Sequence, residues 1–285
     1  MAPIAFSRRL LGVGLLALCV TVLTGCQSAP KVLDPMRAVW VTRSDYRTAD
    51  DIDRVMDNCA QAGFNAVIFQ VRGNGTVFYP SDIEPWAEQY DYQDPGYDPL
   101  AHAIDQARAR DMELHAWVNV MPAWRGPAEP TNPDQLYHTH PEWFWYDANG
   151  NRQPLNHVVG ERRRGWYASV NPCLPEVRAY LVDVFREIVS RYDVDGLHLD
   201  YIRFPNEPVV RGEKIPDYPH DARTLALFHE ATGKTPQSDP EAWNDWRTEQ
   251  VNTLVADIHA MVRDENPRAV LSSAAGSVRE LSLIH

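Results

Sequence analysis

The sequence has 285 residues with 27 basic and 39 acidic side chains, a formal net charge of −12 and a pI near 5.2. That balance argues against nucleic acid as a partner, because phosphate recognition needs a basic face. Nine Trp and 12 Tyr are many for this length; such rings stack on sugars but also fill cores, so composition alone does not choose between the two.

The chain opens on an address. Arg8 and Arg9 precede an apolar run from Leu10 to Leu23. The run is shorter than the roughly 20 residues a membrane span needs and suits the apolar region of a signal peptide. It closes on Leu23-Thr24-Gly25-Cys26, which resembles a lipobox with Cys26 as the lipidated residue. Residues 1–26 therefore read as a lipoprotein signal peptide, 27–35 as a tether, and 36–285 as one domain held to the membrane by its lipid. Gln27 after the Cys resembles the pattern that Gram-negative cells send to the outer membrane, with the domain facing the periplasm. Of the other cysteines, Cys59 falls on a predicted helix and Cys173 at a helix start. Two isolated packing cysteines are favoured over a disulfide, although an oxidising compartment permits one.

Strands and helices then alternate. A buried strand over 37–42 (RAVWVT) leads to a helix over 49–62 that stops at Gly63, and a second strand covers 65–72 (NAVIFQVR). A long loop, a helix over 98–110 and a third strand over 113–120 (ELHAWVNV) follow. About 50 residues of loop precede a helix over 175–191 and a fourth strand over 196–204 (GLHLDYIRF). A helix-rich stretch over 221–265 and a fifth strand over 269–275 complete the pattern. Continuous apolar strands alternating with helices mean a parallel sheet covered by helices. No GxGxxG follows any strand, so the expectation is an α/β fold of the (β/α)8 TIM-barrel type. Three more units at roughly 30 residues each would be needed to close it, so the barrel is expected to stop after about strand five. An inactive fragment is one consequence to weigh.

Alternate residues of a strand share a face. Gln70 and Arg72, His115, Trp117 and Asn119, and His198 and Asp200 thus collect toward the C-terminal strand ends, where barrel enzymes build their sites. Asp200 is the first choice as a catalytic carboxylate: it ends an apolar strand, where partial burial tunes a carboxyl for proton transfer. The plain alternative is a rim salt bridge to Arg203 or Arg72. Glycoside cleavage uses a carboxyl acid, usually with a second carboxylate. Asp45, Asp82, Glu84 and Glu142 are the candidates for that second group, and the role of Asp200 as acid, base or stabiliser stays open. Gln70, Arg72, His115, Asn119 and Asn171 are expected to ring the mouth and bind substrate. Trp40, Trp117, Trp124 and Tyr201 are candidate sugar platforms. The loop Pro141-Glu142-Trp143-Phe144-Trp145-Tyr146 carries four aromatics in a row, and Trp143 and Trp145 are expected to touch substrate. No HxH pair follows the first strand and no HExxH or GxSxG occurs, so neither a metal, a cofactor nor a nucleophile elbow is expected.

Taken in order, Arg37-Ala38-Val39-Trp40-Val41-Thr42, Gln70-Val71-Arg72-Gly73 with Phe78-Tyr79-Pro80-Ser81, His115-Ala116-Trp117-Val118-Asn119, Asn171-Pro172 and Gly196-Leu197-His198-Leu199-Asp200-Tyr201-Ile202-Arg203-Phe204-Pro205 resemble the glycosyl-hydrolase-like 10 family across roughly 35–277. The resemblance implies a (β/α)8 barrel that cleaves a cell-envelope polysaccharide, with some members similar to division-site lipoproteins acting on peptidoglycan strands stripped of their stem peptides. It also implies Asp200 and Arg203 at the site, with Gln70, Arg72, His115 and Asn119 lining it. A non-catalytic carbohydrate-binding lipoprotein remains the rival reading.

Overall fold

A computed structural model of the chain describes residues 35–159, 162–165, 167–204 and 216–274. Cys26 and the leader lie outside these residues. In chain order the elements are β1 (Ala38–Val41), α1 (Ala49–Gln61), β2 (Ala66–Arg72), α2 (Pro99–Arg108), β3 (Glu113–Asn119), β4 (Pro122–Arg125), α3 (Leu136–Thr139), β5 (Asn156–Val159), β6 (Arg162–Gly165), β7 (Tyr167–Ser169), α4 (Pro175–Arg191), β8 (Gly196–Asp200), α5 (Ala222–Thr232), α6 (Pro240–Glu265) and β9 (Val270–Ser273). Single 3-10 turns cover Glu88–Tyr90 and Pro141–Trp143.

The main sheet has five strands in the order β1-β2-β3-β8-β9, every pair parallel. Each new main-sheet strand is laid beside the previous one, so the order never reverses as it does in a doubly wound sheet. This is the winding of a (β/α) barrel. Local chemistry sets the helix starts. Thr48 and Asp51 form a reciprocal capping box on α1, and Asp98, Asp221 and Asp239 cap α2, α5 and α6 through their side chains. Each places an acceptor on backbone N–H groups that the first helical turn leaves unpaired.

Alternation along the strands separates two faces. Val67, Phe69 and Val71, Leu114, Ala116 and Val118, and Leu197 and Leu199 join α1, α2, α4 and α6 in the principal apolar core. The opposite face carries Trp40, Ile68, Gln70, His115, Trp117, Asn119, His198 and Asp200. Lateral register arranges these as rungs, with Trp40, Ile68, His115 and Gly196 in one and Gln70, Trp117, His198 and Ser272 in the next. Asn119 and Asp200 are partners at the C-terminal end. Trp40 is 42% exposed on this inner face, where its ring meets Trp117 edge-on at 4.5 Å. Cys59 and Cys173 are both buried and unbonded.

Between β2 and α4 lies a buried ionic cluster. Arg72 and Glu84 form a two-pronged pair at 2.8 and 2.6 Å, with side chains 0% and 1% exposed. Tyr180 of α4 donates to the same carboxylate at 3.0 Å. The Phe78–Ser81 segment docks beside it: the Tyr79 hydroxyl donates to the Val184 carbonyl, and Ser81 Oγ and the Asp82 amide both bond Glu187. Removing one partner of a fully buried pair leaves an uncompensated charge, which costs about 3–5 kcal/mol. Glu84→Gln is therefore expected to lower unfolding stability by about that much in urea titration. Asp82→Asn, whose exposed carboxylate bonds Arg191 at the surface, should change it by less than about 1 kcal/mol.

Candidate active site

Asp200 is the last residue of β8, and Tyr201 leaves the strand with a φ of +53°. The left-handed turn ends strand pairing two residues after His198, so the expected strand to Phe204 is shorter than its sequence suggested. The turn also brings the Tyr201 amide back onto Asp200, where it donates to Oδ1 at 2.7 Å. Meanwhile the Asp200 carbonyl accepts from the Val120 amide at 2.8 Å, fixing β8 to the end of β3. Asp200 is half-buried. Burial pushes its carboxyl above the ordinary aspartate range, against the opposing pull of the Tyr201 amide and the Arg203 charge.

An aromatic and cationic rim surrounds this carboxylate. Tyr201 meets Tyr167 edge-on at 5.0 Å; Arg203 lies 5.1 Å over the Tyr201 ring and Arg125 5.2 Å over the Tyr167 ring. Arg125 and Tyr167 face each other across the two-stranded antiparallel ribbon β4–β7, which rises from the C-terminal end of β3. The Tyr167 hydroxyl lies 3.5 Å from Asn119 Nδ2. Tyr167 and Arg125 were missed in the sequence. Their signal was the short, largely apolar run Tyr167-Ala168-Ser169-Val170, inside a stretch read as loop.

The expected ring of substrate-binding residues is spread over both faces of the sheet and the loops behind it. Arg72 was placed on the face of Gln70, but a bulge shifts the register between them, so Arg72 pairs with Val118 and points to the helical side. There it is wholly buried and bonded to Glu84, closed off from solvent. Asn171 is also wholly buried; its amide donates to Asp221 at 3.0 Å and to Thr224 at 2.7 Å, and its oxygen accepts from the Cys173 amide. It anchors the start of α5, which sequence spacing could not show. His115 lies on the inner face but four residues below the strand end, buried against Gly196 and 3.3 Å from Glu113. A side chain at residue 196 would collide with it, which accounts for the glycine.

Gln70 and Asn119 are at the expected level but their amides are committed. Gln70 Oε1 accepts from the Arg43 amide at 3.1 Å. Asn119 takes a bond from Trp117 Nε1 at 3.0 Å and donates to the Gly73 carbonyl at 2.9 Å. Both hold the loops of the mouth in place. The aromatic loop is corrected as well. Phe144 and Trp145 are buried, Trp145 stacking near Phe204 and Tyr218. Trp143 is half-buried between His140, stacked at 3.8 Å, and Tyr180. The loop is an inner wall, because turns at both ends fold it back over the α4 start. Of the candidate second carboxylates, Glu84 serves Arg72, Asp82 pairs with Arg191, Glu142 lies 3.1 Å from His140, and Asp45 bonds Thr42. Among the described residues no cluster of His, Cys, Asp or Glu has the form of a metal site.

Matching against known proteins settles the family. The profile of Glycosyl hydrolase-like 10 matches residues 35–280. The chain belongs to that family. Glycosyl hydrolase YngK of Bacillus subtilis (strain 168) is 29% identical over 250 residues, covering 81% of this chain and 43% of its own length. Glycosyl hydrolase DigH of Escherichia coli (strain K12) is 27% identical over 265 residues, covering 82% of this chain and 53% of its own. The chain thus spans about half the length of the curated relatives it matches. The PgaB (BpsB) glycoside hydrolase domain from Bordetella bronchiseptica has a similar fold, with a TM-score of 0.58 at 15% identity over 84% of this chain and 64% of that one. Alpha-L-fucosidase isoenzyme 2 from Paenibacillus thiaminolyticus gives 0.58 at 16% identity over 86% and 34%. These likenesses speak for the fold: the five-stranded sheet is the arc of a barrel of this kind.

Two titrations follow from the site. Burial lowers the His198 imidazole to about 4, with the nearby His115 adding to the effect. Its Nδ1 lies 2.8 Å from Ser272 Oγ. Because the folded value is depressed, the unfolded chain takes up this proton first, so stability is lost as pH falls from about 6.5 to about 4. His198→Gln should flatten that part of a melting-temperature profile. Asp200 has the opposite sign of linkage. Its folded value is raised, so its contribution is fully favourable below the ordinary aspartate value of 3.8 and is lost above it. Asp200→Asn is expected to melt higher than the natural protein at pH 7, with the two curves converging below pH 3.8; equal melting at pH 7 would mean the carboxylate is not under this strain.

Proposed function

We propose that this chain is the barrel part of a glycoside hydrolase that acts on a polysaccharide, with Asp200 as its catalytic carboxylate. The observation that carries the reading is a half-buried carboxylate with raised proton affinity at the C-terminal end of a barrel strand, rimmed by tyrosine and arginine. Glycoside cleavage requires a carboxyl that stays protonated long enough to serve a leaving oxygen, and burial supplies that property. The names borne by the family relatives support the same chemistry.

The finer proposal is peptidoglycan glycan as substrate, acted on in the cell envelope by a protein anchored through a lipid at Cys26. The Leu23–Cys26 motif and the apolar run before it support the location. A specific observation keeps a second reading alive. Burial raises Asp200 while Arg203 pulls against it, and the candidate second carboxylates Asp45, Asp82, Glu84 and Glu142 are each engaged with another partner. A carbohydrate-binding protein without turnover would have this appearance.

The two readings separate in a digestion assay with the chain from Gln27 onward, on intact and amidase-stripped peptidoglycan. Hydrolysis predicts soluble glycan fragments, and Asp200→Ala should cut their release by about 10²–10⁴-fold, the usual share of an acid or base group. Binding without release from the natural protein would favour the second reading.

A further inference from the structure

Most polar side chains at the mouth are committed; Arg43 is not. The residue is only 8% exposed. Its backbone amide bonds Gln70, and its side chain lies over Gly73, where any Cβ would run into the guanidinium. The carbonyl of that glycine holds Asn119, the strand partner of Asp200. Among the described residues no acceptor takes a hydrogen bond or ion pair from the Arg43 guanidinium. Nor are its nitrogens among the polar atoms sealed without a partner, so the stem is covered while the head reaches the opening. A guanidinium carries five donors in a fixed fork, and buried polar groups are as a rule hydrogen-bonded, so this exception asks for a ligand.

One acidic group faces it. Glu88, on the 3-10 turn, is half-buried; burial raises its carboxyl, and the charges of Arg43 and Arg125 pull it back. Among the described residues this carboxylate also accepts no hydrogen bond and closes no ion pair. Arg43 and Glu88 therefore stand as donor and acceptor across a gap wider than a direct contact. Their neighbours cannot fill it: the Tyr46 hydroxyl is spent on the Gln70 carbonyl, and Asn74 and Thr76 are sealed from solvent. A group that suits both sides must accept from a guanidinium and donate to a carboxylate. Sugar hydroxyls do both, whereas an anion would meet Glu88 as a like charge and an ammonium would meet Arg43. Position adds a second constraint. Arg43 follows β1 and Asp200 ends β8, with β2 and β3 between them, so three strand spacings, about 14 Å along the sheet, separate the two. That is longer than one sugar ring. The side-chain charge felt by Asp200 is that of Arg203, so Glu88 stands outside the reacting centre.

We infer that Arg43 and Glu88 form a distal subsite that binds an uncharged sugar unit through its hydroxyls, so that the mouth reads a glycan chain several units long. The inference rests on the glycosidase proposal, which puts the scissile bond at Asp200. No bond forms or breaks at the subsite; it holds the chain.

The test uses the chain from Gln27 onward with glycan strands freed of stem peptides and sorted into short (two disaccharides) and long (six). Release of reducing ends gives kcat and KM, and calorimetry gives binding. Long strands are expected to show a KM about 10-fold or more below that of short ones, the usual worth of a charge-assisted contact. Arg43→Met keeps the stem and removes the donors; Glu88→Gln keeps the shape and removes the charge. In each variant the advantage of long strands should largely vanish, with the loss falling on KM rather than on kcat. Because a partnerless guanidinium is costly to bury, Arg43→Met should melt no lower than the natural protein. Cleavage whose length dependence neither variant alters, or a lower melting temperature in Arg43→Met with that dependence intact, would overturn the inference and leave the glycosidase proposal standing. Length-dependent binding that is lost in the variants, without cleavage by any of the proteins, would uphold the subsite and defeat the hydrolase reading. Failure to bind either strand would defeat both.

Discussion

A guanidinium with no access to water must find acceptors for all its donors, and Arg72 finds them at the end of β3. One nitrogen reaches the carbonyls of Asn119, Val120 and Pro122, while the other two hold Glu84. Three carbonyls within four residues of backbone at the barrel mouth are thereby fixed to one side chain. The β3–β4 connection cannot shift without exposing a buried charge, and that connection sets everything above it. It places Asn119 against Gly73, starts the ribbon that carries Arg125, and presents the Val120 amide that holds the Asp200 carbonyl. Through Glu84 and Tyr180 the same cluster is tied to α4. The geometry of the mouth is thus inherited from a residue sealed away from solvent.

This explains which parts of the molecule could be read in the sequence. Apolar runs and helix caps depend on residues close together in the chain. The five main strands and the long helices accordingly appear within about two residues of where their pattern places them, apart from β8, and α4 matches at both ends. The end of β8 escaped because Ile202 and Phe204 continue the apolar alternation, while the left-handed turn at Tyr201 that stops the strand leaves no mark in hydrophobicity. The bulge before Arg72 escaped for the same reason. A one-residue slip moves a side chain to the opposite face, and nothing local announces it. The barrel's winding was legible; the facing of individual polar residues was legible only where the strand stayed regular.

The site was harder to read because polar residues serve two masters. Gln70, Asn119, Asn171 and His115 have the chemistry that binds sugar hydroxyls, and the same chemistry satisfies buried backbone and side-chain groups. Only three-dimensional partners decide between the roles. The 141–146 loop makes the point for aromatics. Two of the four adjacent rings on this long loop, Trp143 and Trp145, were expected to touch substrate, and the bonds from the Trp145 amide to Ser169 and from the Gln153 amide back to Trp145 fold the segment inward, where Phe144 and Trp145 are buried. The residues that gather around Asp200 come instead from two distant segments, Tyr201–Arg203 after β8 and the Arg125/Tyr167 ribbon. Their proximity depends on a pairing between residues about 40 apart.

The committed polar groups also bear on the chemistry. An aspartate surrounded by free amides and hydroxyls would be solvated by them and would ionise as readily as in water. At this mouth the nearby donors are already engaged: Trp117 Nε1 on Asn119, the Asn119 amide on Gly73, and the Arg43 amide on Gln70. The His198 imidazole is neutral and held beside Ser272. Among the described residues, the Asp200 carboxylate accepts from the Tyr201 amide and lies in the field of Arg203. Burial outweighs them, and the proton is held more tightly than on an exposed aspartate. The rigid network beneath the site therefore does more than shape it. By spending its hydrogen bonds internally it leaves burial to dominate at the carboxyl, whose proton affinity is raised.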